Sequence, residues 1–375
     1  MPRLILDEAK LSLVYVPRLL PHREREVEEV KRWVRFFVER ERPANTFLHV
    51  VGPLASGKTA LVKRACGGFK GASFVYVNVD CLRSPRFILS EVLKALGLRV
   101  EPTGKDPAEL LLRLLELMKG ERLIVCFDDV DGYALSGRDT GFLNMLVKGC
   151  EMEPEAKLCL ILVYRDPKWL ERLNGSVKQR LTGWTVKLEA YRRKQVEDIL
   201  AYRAEEAFAP GALSGELLSF MAALSSSEPG GVRYGLELML GAGRIAEATG
   251  SDRVKAEHVR LAHAQMIGRG GLWDELSVHD LVLLEAVARE VKERVFVSLE
   301  EVHRTYLAVC EGRGVEPEES LEEGARRLVN HGYLMLEGGR YGLEYPSEYV
   351  VKWVEARLNR LAHSGQAYRE GPPPL

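Results

Sequence analysis

The sequence predicts an α/β protein: a parallel sheet covered by helices around a phosphate-binding turn, then an all-helical domain, then three helices with a hairpin. Two observations carry this. Short apolar runs alternate with helical stretches up to about residue 190, and the first run ends in a glycine-rich turn. Beyond Tyr191 the helical spacing continues with no strand until a hairpin pattern turning at Gly338-Gly339.

The strand candidates are Phe47–Val51, Phe74–Val79, Leu123–Phe127, Leu158–Val163 and Thr185–Leu188. A charged amphipathic helix over Glu24–Glu41 precedes them, after an extended lead-in ending at Pro21. Helices are expected at Lys194–Phe208, Ser214–Leu224, Val232–Ala248 and Lys255–Ile267, then at Val278–Val291, Leu299–Glu311 and Leu321–His331. Three helices followed by a hairpin suggest a winged helix. The expected domains are therefore 1–190, a nucleotide-binding core; 191–268, a helical lid; and 275–365, a winged helix. Gly268-Arg-Gly-Gly271 makes a linker, and the proline-rich end of 366–375 reads as a disordered tail.

Composition limits the function classes. A chain of 375 residues exceeds one compact core, and 46% hydrophobic with 29% charged residues is ordinary globular usage. The formal net charge of −1 names no partner. From Glu275 onward 12 Lys/Arg face 18 Asp/Glu, which argues against DNA binding there by bulk charge. The six cysteines have no CxxC or Cys/His spacing and read as small hydrophobes in a reduced interior. No apolar run approaches the ~20 residues of a membrane span, and charges interrupt the first twenty, so a cytoplasmic protein without a membrane partner is expected.

The strongest chemical signal is Gly52-Pro-Leu-Ala-Ser-Gly57-Lys58-Thr59, which fits GxxxxGK[ST] between an apolar strand and a helix beginning near Ala60. Glycines let backbone N–H groups turn inward around phosphates, and the helix N-terminus adds a favourable dipole. Gly52, Pro53, Ser56, Gly57 and Ala60 form this cradle. Lys58 is expected on the β/γ-phosphates and the Thr59 hydroxyl on Mg²⁺. The run Leu123–Phe127 ends in Asp128-Asp129, making Asp128 the second Mg²⁺ partner and Asp129 the residue that orients or activates water. The expected cofactors are thus ATP or ADP with Mg²⁺.

In a winged helix the third helix enters the major groove and the hairpin the neighbouring minor groove. Arg326 and Arg327 on that helix and Arg340 on the hairpin are the DNA candidates. Ion pairs with Glu322 and Glu323 are the competing use of the helix arginines.

In this order of parts the chain resembles the archaeal replication initiators of origin-recognition type, AAA+ proteins, over roughly Val14 to Trp353. Tyr15-Val-Pro-Arg-Leu-Leu-Pro-His22-Arg23-Glu24 looks like that family's segment over the adenine, which brings His22 and Arg23 to the nucleotide. Tyr76-Val-Asn-Val-Asp-Cys81 with Ser84-Pro85-Arg86 resembles the second strand and the family's insertion, implying DNA contact at Arg83 and Arg86. Val186–Gln195, which includes Tyr191, looks like the entry to the lid, and Gly230-Gly231-Val-Arg233 matches the sensor-2 position, where an Arg reaches the γ-phosphate. The resemblance implies an ATP-switched protein that binds duplex DNA at origins and helps load the replicative helicase. Three positions depart from the family: Asp129 stands where Glu is usual, Arg165 stands at the sensor-1 position, and Leu173-Asn-Gly-Ser176 lacks the trans-acting Arg. These imply tight binding and slow hydrolysis. A signalling P-loop ATPase whose winged helix holds a protein, and a DNA-binding regulator with ATP as structural cofactor, are the alternatives.

Overall fold

The computed structural model describes residues 3–41, 44–173, 175–267 and 276–363. The chain divides into two compact units, residues 16–195 and residues 1–15 with 196–375.

In the first unit, helix α1 (Glu24–Glu39) precedes β1 (Thr46–Val51), the loop 52–57 and α2 (Lys58–Cys66). Then come β2 (Ser73–Asn78), α3 (Pro85–Ala95), α4 (Pro107–Leu117), β3 (Arg122–Asp128), α5 (Val130–Leu135), α6 (Gly141–Met152), β4 (Lys157–Tyr164), α7 (Gly175–Arg180) and β5 (Trp184–Lys187). The five strands are those expected. All pair in parallel, in the order β2-β3-β4-β1-β5. β3 and β4 are buried along nearly their whole length, as central strands covered on both faces must be. Alternate side chains feed two layers. Val125, Phe127, Leu160 and Leu162 pack under α3, α4 and α6, whereas Ile124, Cys126, Ile161 and Val163 pack with α1 and α2. Five cysteines are buried and Cys81 is exposed, and all six are free. The register sets Val51 beside Tyr164 and Asn78 beside Asp128, so the C-terminal ends of four strands converge next to loop 52–57.

The second unit holds α8 (Arg193–Ala207), α9 (Gly215–Ser227), α10 (Val232–Ala248) and α11 (Ala256–Ile267). Residues 3–15 pack here. This corrects the expectation that the first 190 residues form one core. Ile5 bridges Phe208, and the Leu4 and Ile5 amides donate to Glu247 at 2.7 and 2.9 Å. Leu4, Ile5 and Leu11 are buried, so this apolar lead-in covers surface that the helices would otherwise expose. A short 3-10 turn, Glu8–Leu11, capped by Asp7, replaces the purely extended chain expected.

The same unit continues with α12 (Val278–Glu290), β6 (Phe296–Val297), α13 (Leu299–Arg313), α14 (Leu321–Asn330), β7 (Met335–Glu337), β8 (Arg340–Gly342) and α15 (Ser347–His363). The hairpin turns at Gly338-Gly339, both at positive φ, and β6 completes an antiparallel β6-β8-β7 sheet. Neither β6 nor α15 was expected. Two residues are too few to show alternation, and the stripe Val350, Val354 and Leu358 of α15 gains meaning only once it packs with the α12 core. Arg260 of α11 is wholly buried and donates to the carbonyls of Leu343 (3.0 Å), Val291 (2.8 Å), Arg294 (2.8 Å) and Val295 (3.1 Å). The Gly268–Gly271 linker and the tail 366–375 lie outside the described residues. No helix among those described is long and apolar enough to cross a membrane.

Candidate nucleotide site

β1 delivers the chain into a loop that calls for glycine at positions 52 and 57. Gly57 has φ 91°, a left-handed conformation favouring glycine, and Ala55 shares it at φ 58°. A β-carbon on Gly52 would stand 2.6 Å from the Leu188 carbonyl oxygen, and one on Gly57 2.8 Å from the Tyr191 hydroxyl. The loop is thus closed on one side by Leu188 and Tyr191, with the N–H groups at the start of α2 left for a ligand. Ser56 donates to the Pro53 carbonyl at 2.9 Å and fixes the turn. The Lys58 ammonium lies on the carbonyls of Gly52 (2.9 Å) and Pro53 (2.8 Å), within the loop. Burial lowers its pKa, and Asp128, Asp129 and Asp131 act against that shift. A triphosphate brings the counter-charge such a cation calls for.

Thr59 and Asp128 meet as expected: the hydroxyl donates to Asp128 Oδ2 at 2.6 Å. Asp128 is buried at the end of β3, and its pKa is raised because burial outweighs the hydrogen bonds from Thr59 and Tyr76. Two hard oxygen donors side by side, one a poorly solvated carboxylate, suit a divalent cation such as Mg²⁺. Asp129 follows in a left-handed conformation at φ 56°, and Asn78 donates to its Oδ2 at 2.8 Å.

Three residues at this site escaped the sequence reading of roles. Tyr76 donates to Asp128 Oδ2 at 2.8 Å, Asn78 holds Asp129, and buried Asp131 accepts the backbone N–H groups of Arg165 and Asp166 at 3.1 Å each. The signal for the first two was available. Tyr76 and Asn78 lie two apart on one face of β2, and a polar residue ending an apolar strand needs a partner.

Arg23, expected at the nucleotide, is held among protein groups beside the loop. It is buried, donates to the Ser56 carbonyl at 3.1 Å and to that of Glu189, and lies 4.1 Å from the Tyr191 ring centroid. It therefore braces the phosphate loop from behind. His22 sits just before α1 at φ 65°, its amide donating to Glu24 at 3.2 Å. Arg233 stands exposed in the first turn of α10, in the second unit.

The DNA candidates separate. Arg83 and Arg326 are exposed and Arg86 is half-buried. Arg327 pairs with Asp280 (2.9 Å) and Glu318 (3.1 Å), in place of the Glu323 partner one turn away. Arg340 donates to the Phe296 carbonyl at 2.6 Å and pairs with Glu216 at 3.4 Å, so it folds back rather than standing free on the hairpin. Asn174, within the expected departure at 173–176, lies outside the described residues. The neighbouring Arg172 and Arg180 are held by the Leu135 carbonyl (3.1 Å) and by Glu151.

Comparisons with known proteins agree with this geometry. Residues 41–173 match the AAA domain family and residues 197–264 the Cdc6 AAA+ ATPase-type lid domain. The chain is 28% identical over 368 residues to the ORC1-type DNA replication protein 1 of Sulfolobus acidocaldarius, covering 92% of each chain. It is 30% identical over 263 residues to the protein of the same name from Aeropyrum pernix, covering 67% of this chain and 66% of that one. Among solved structures, Cdc6p from Pyrobaculum aerophilum superposes with a TM-score of 0.82 at 20% identity, covering 95% of this chain and 99% of that one. The Aeropyrum pernix ORC1 protein in complex with DNA gives 0.62 at 24% identity, covering 97% and 100%. A glycine cradle with its Thr59–Asp128 pair, both matched domain families in order, and relatives along nine-tenths of the length lead to one conclusion: the chain belongs to the archaeal Orc1/Cdc6 family of AAA+ replication initiators.

Proposed function

We propose that this chain is an ATP-binding replication initiator that grips origin duplex DNA and uses nucleotide state as a conformational switch, recruiting or helping to load the replicative helicase from the cytoplasm. The observation that carries the proposal is the 2.6 Å contact between Thr59 and Asp128 at the mouth of a loop with two left-handed residues.

In this reading the N–H groups of Gly57 and of the first turn of α2 take the phosphates and Lys58 leaves the loop carbonyls for phosphate oxygens. Mg²⁺, held by Thr59 and Asp128, would neutralise the phosphate charge. Asp129, held by Asn78, orients the attacking water. Asp129 is one methylene shorter than the usual Glu, which makes hydrolysis slow and the ATP state long-lived. The A. pernix ORC1 structure contains DNA. On that likeness the exposed Arg83 and Arg326 are the first DNA contacts, with Arg86 beside them, and Arg327 and Arg340 joining once DNA phosphates compete with Asp280 and Glu216. Such arginines set affinity and register more than sequence choice.

The test is footprinting on the chain's own origin region with ATP, with ADP and with the Lys58→Ala protein. Defined protection that persists as salt rises and weakens with Lys58→Ala supports the proposal. Uniform, salt-sensitive retention, or nucleotide affinity untouched by Lys58→Ala, refutes it.

A further inference from the structure

Among the described residues of the 16–195 unit, the arginines nearest the expected trans-acting position are engaged elsewhere, Arg172 on a carbonyl and Arg180 on Glu151. Arg165 is placed otherwise. It follows the last residue of β4, and β4 lies between β1 and β3, the strands that carry the cradle and the acidic pair. Val51 is in register with Tyr164, and the Gly52 amide donates to the Tyr164 carbonyl at 3.4 Å. Arg165 therefore stands one strand spacing, about 4.8 Å, from the first cradle glycine. Alternation along β4 puts it on the side of Ile161 and Val163, which pack with Leu61 and Val62 of α2.

Asp131 supports it. That carboxylate is 3% exposed, and its Oδ2 takes the amides of Arg165 and Asp166 at 3.1 Å each, fixing where the Arg165 side chain begins. The guanidinium lies only 3.8 Å from the same oxygen, beyond hydrogen-bond length, and the side chain is 45% exposed. Its root is rigid and its head is free to turn. A cation on a fixed root beside a phosphate cradle is the arrangement that stabilises a transferring phosphoryl group.

We infer that Arg165 is a catalytic residue supplied in cis, turning from Asp131 onto the γ-phosphate and replacing a positive charge that a neighbouring copy would otherwise bring. The inference deepens the nucleotide-switch reading and rests on ATP occupying residues 52–59. In the step concerned, a water oxygen attacks the γ-phosphorus. The bond from that phosphorus to the β–γ bridging oxygen breaks, and its electron pair leaves with ADP. The water proton passes to Asp129 and on to solvent, giving inorganic phosphate. Arg165 binds the non-bridging γ-oxygens, where charge is spread as the bond breaks. It thereby offsets part of the handicap of the short Asp129.

The experiment compares wild type, Arg165→Ala and Arg165→Lys in the full chain with ATP and Mg²⁺. Single-turnover hydrolysis is followed at several protein concentrations, and ATP and ADP affinities are measured separately by fluorescence titration. Wild type should turn over at a rate independent of protein concentration. Arg165→Ala should slow the reaction about 100-fold or more. ATP affinity should fall about tenfold, with ADP affinity kept within about twofold because ADP lacks the phosphate concerned. Arg165→Lys should recover part of both effects, since it restores charge without the planar fork. Unchanged hydrolysis together with an unchanged ATP-to-ADP affinity ratio in Arg165→Ala overturns the inference. So does a wild-type rate that climbs with protein concentration. If wild-type turnover is too slow to follow, the affinity ratio decides alone. Loss of the cradle reading itself would register separately, as ADP affinity unaffected by Lys58→Ala.

Discussion

Replacing Arg260 with methionine should unfasten the four helices α8–α11 from the winged-helix elements, and the expected loss can be worked from its contacts. The side chain is fully buried and reaches four backbone carbonyls and Glu257, the last at 3.3 Å. Burial pushes the Arg260 pKa down and that of Glu257 up, so the pair is held by hydrogen-bond geometry against a desolvation penalty. Methionine fills part of the volume and supplies no donor. An orphaned buried acceptor costs about 1–3 kcal/mol, but four do not add, because water enters the vacated space. Breaking a buried pair by removing one partner costs about 3–5 kcal/mol, which sets the expected loss near 4 kcal/mol. For a unit of this size about 2–4 °C accompanies each kcal/mol, so its melting transition should fall by about 8–16 °C. Calorimetry on the full chain measures this, with Arg294→Ala as control. Arg294 pairs with Glu301 on the surface, where the expected cost is below about 1 kcal/mol. A shift of less than about 2 °C in Arg260→Met would refute the reasoning.

Gly57→Ala should reduce ATP affinity at least tenfold, because its β-carbon meets the Tyr191 hydroxyl at 2.8 Å and the φ of 91° costs a further ~1–2 kcal/mol; isothermal titration measures it. Asp129→Glu should speed single-turnover hydrolysis about tenfold by restoring reach, and an unchanged rate would remove the account of that substitution. His263 is buried, its Nδ1 2.5 Å from the Tyr234 hydroxyl, and burial pushes its pKa down from 6.5 to about 4. The unfolded state then binds more protons between those values. Stability from neutral His263 is full above pH 6.5 and is lost as pH falls towards 4, by roughly 3 kcal/mol at most. Melting of His263→Gln between pH 7 and pH 4 should therefore decline less steeply than wild type, and parallel curves would show that the group does not titrate this way.

The sequence carried most of the nucleotide site because its chemistry is local. The cradle is eight consecutive residues, and Asp128 ends a run apolar enough to announce a buried strand. What could not be read depends on register and distant packing. Asn78 acquires its role from standing beside Asp128 across β2 and β3, and Asp131 from receiving the amides at the end of β4. Charged side chains were hardest to assign, since a guanidinium looks the same in sequence whether it meets DNA or a carbonyl. Arg23, Arg260, Arg327 and Arg340 all spend their donors inside their own unit. The lead-in Leu4-Ile5 was misallocated for a related reason: nothing local in an apolar pair names the partner some two hundred residues away.

Arg23 ties together two pieces of backbone, the Ser56 carbonyl in the phosphate loop and the Glu189 carbonyl where the chain leaves the sheet. Tyr191 lies under the same guanidinium with its hydroxyl against Gly57. A phosphate that moved the loop would pull on residues 188–191 as well, for both are tied to one buried cation. A ligand in the loop would then be felt in the stretch from which α8 departs, without any side chain of that helix touching it.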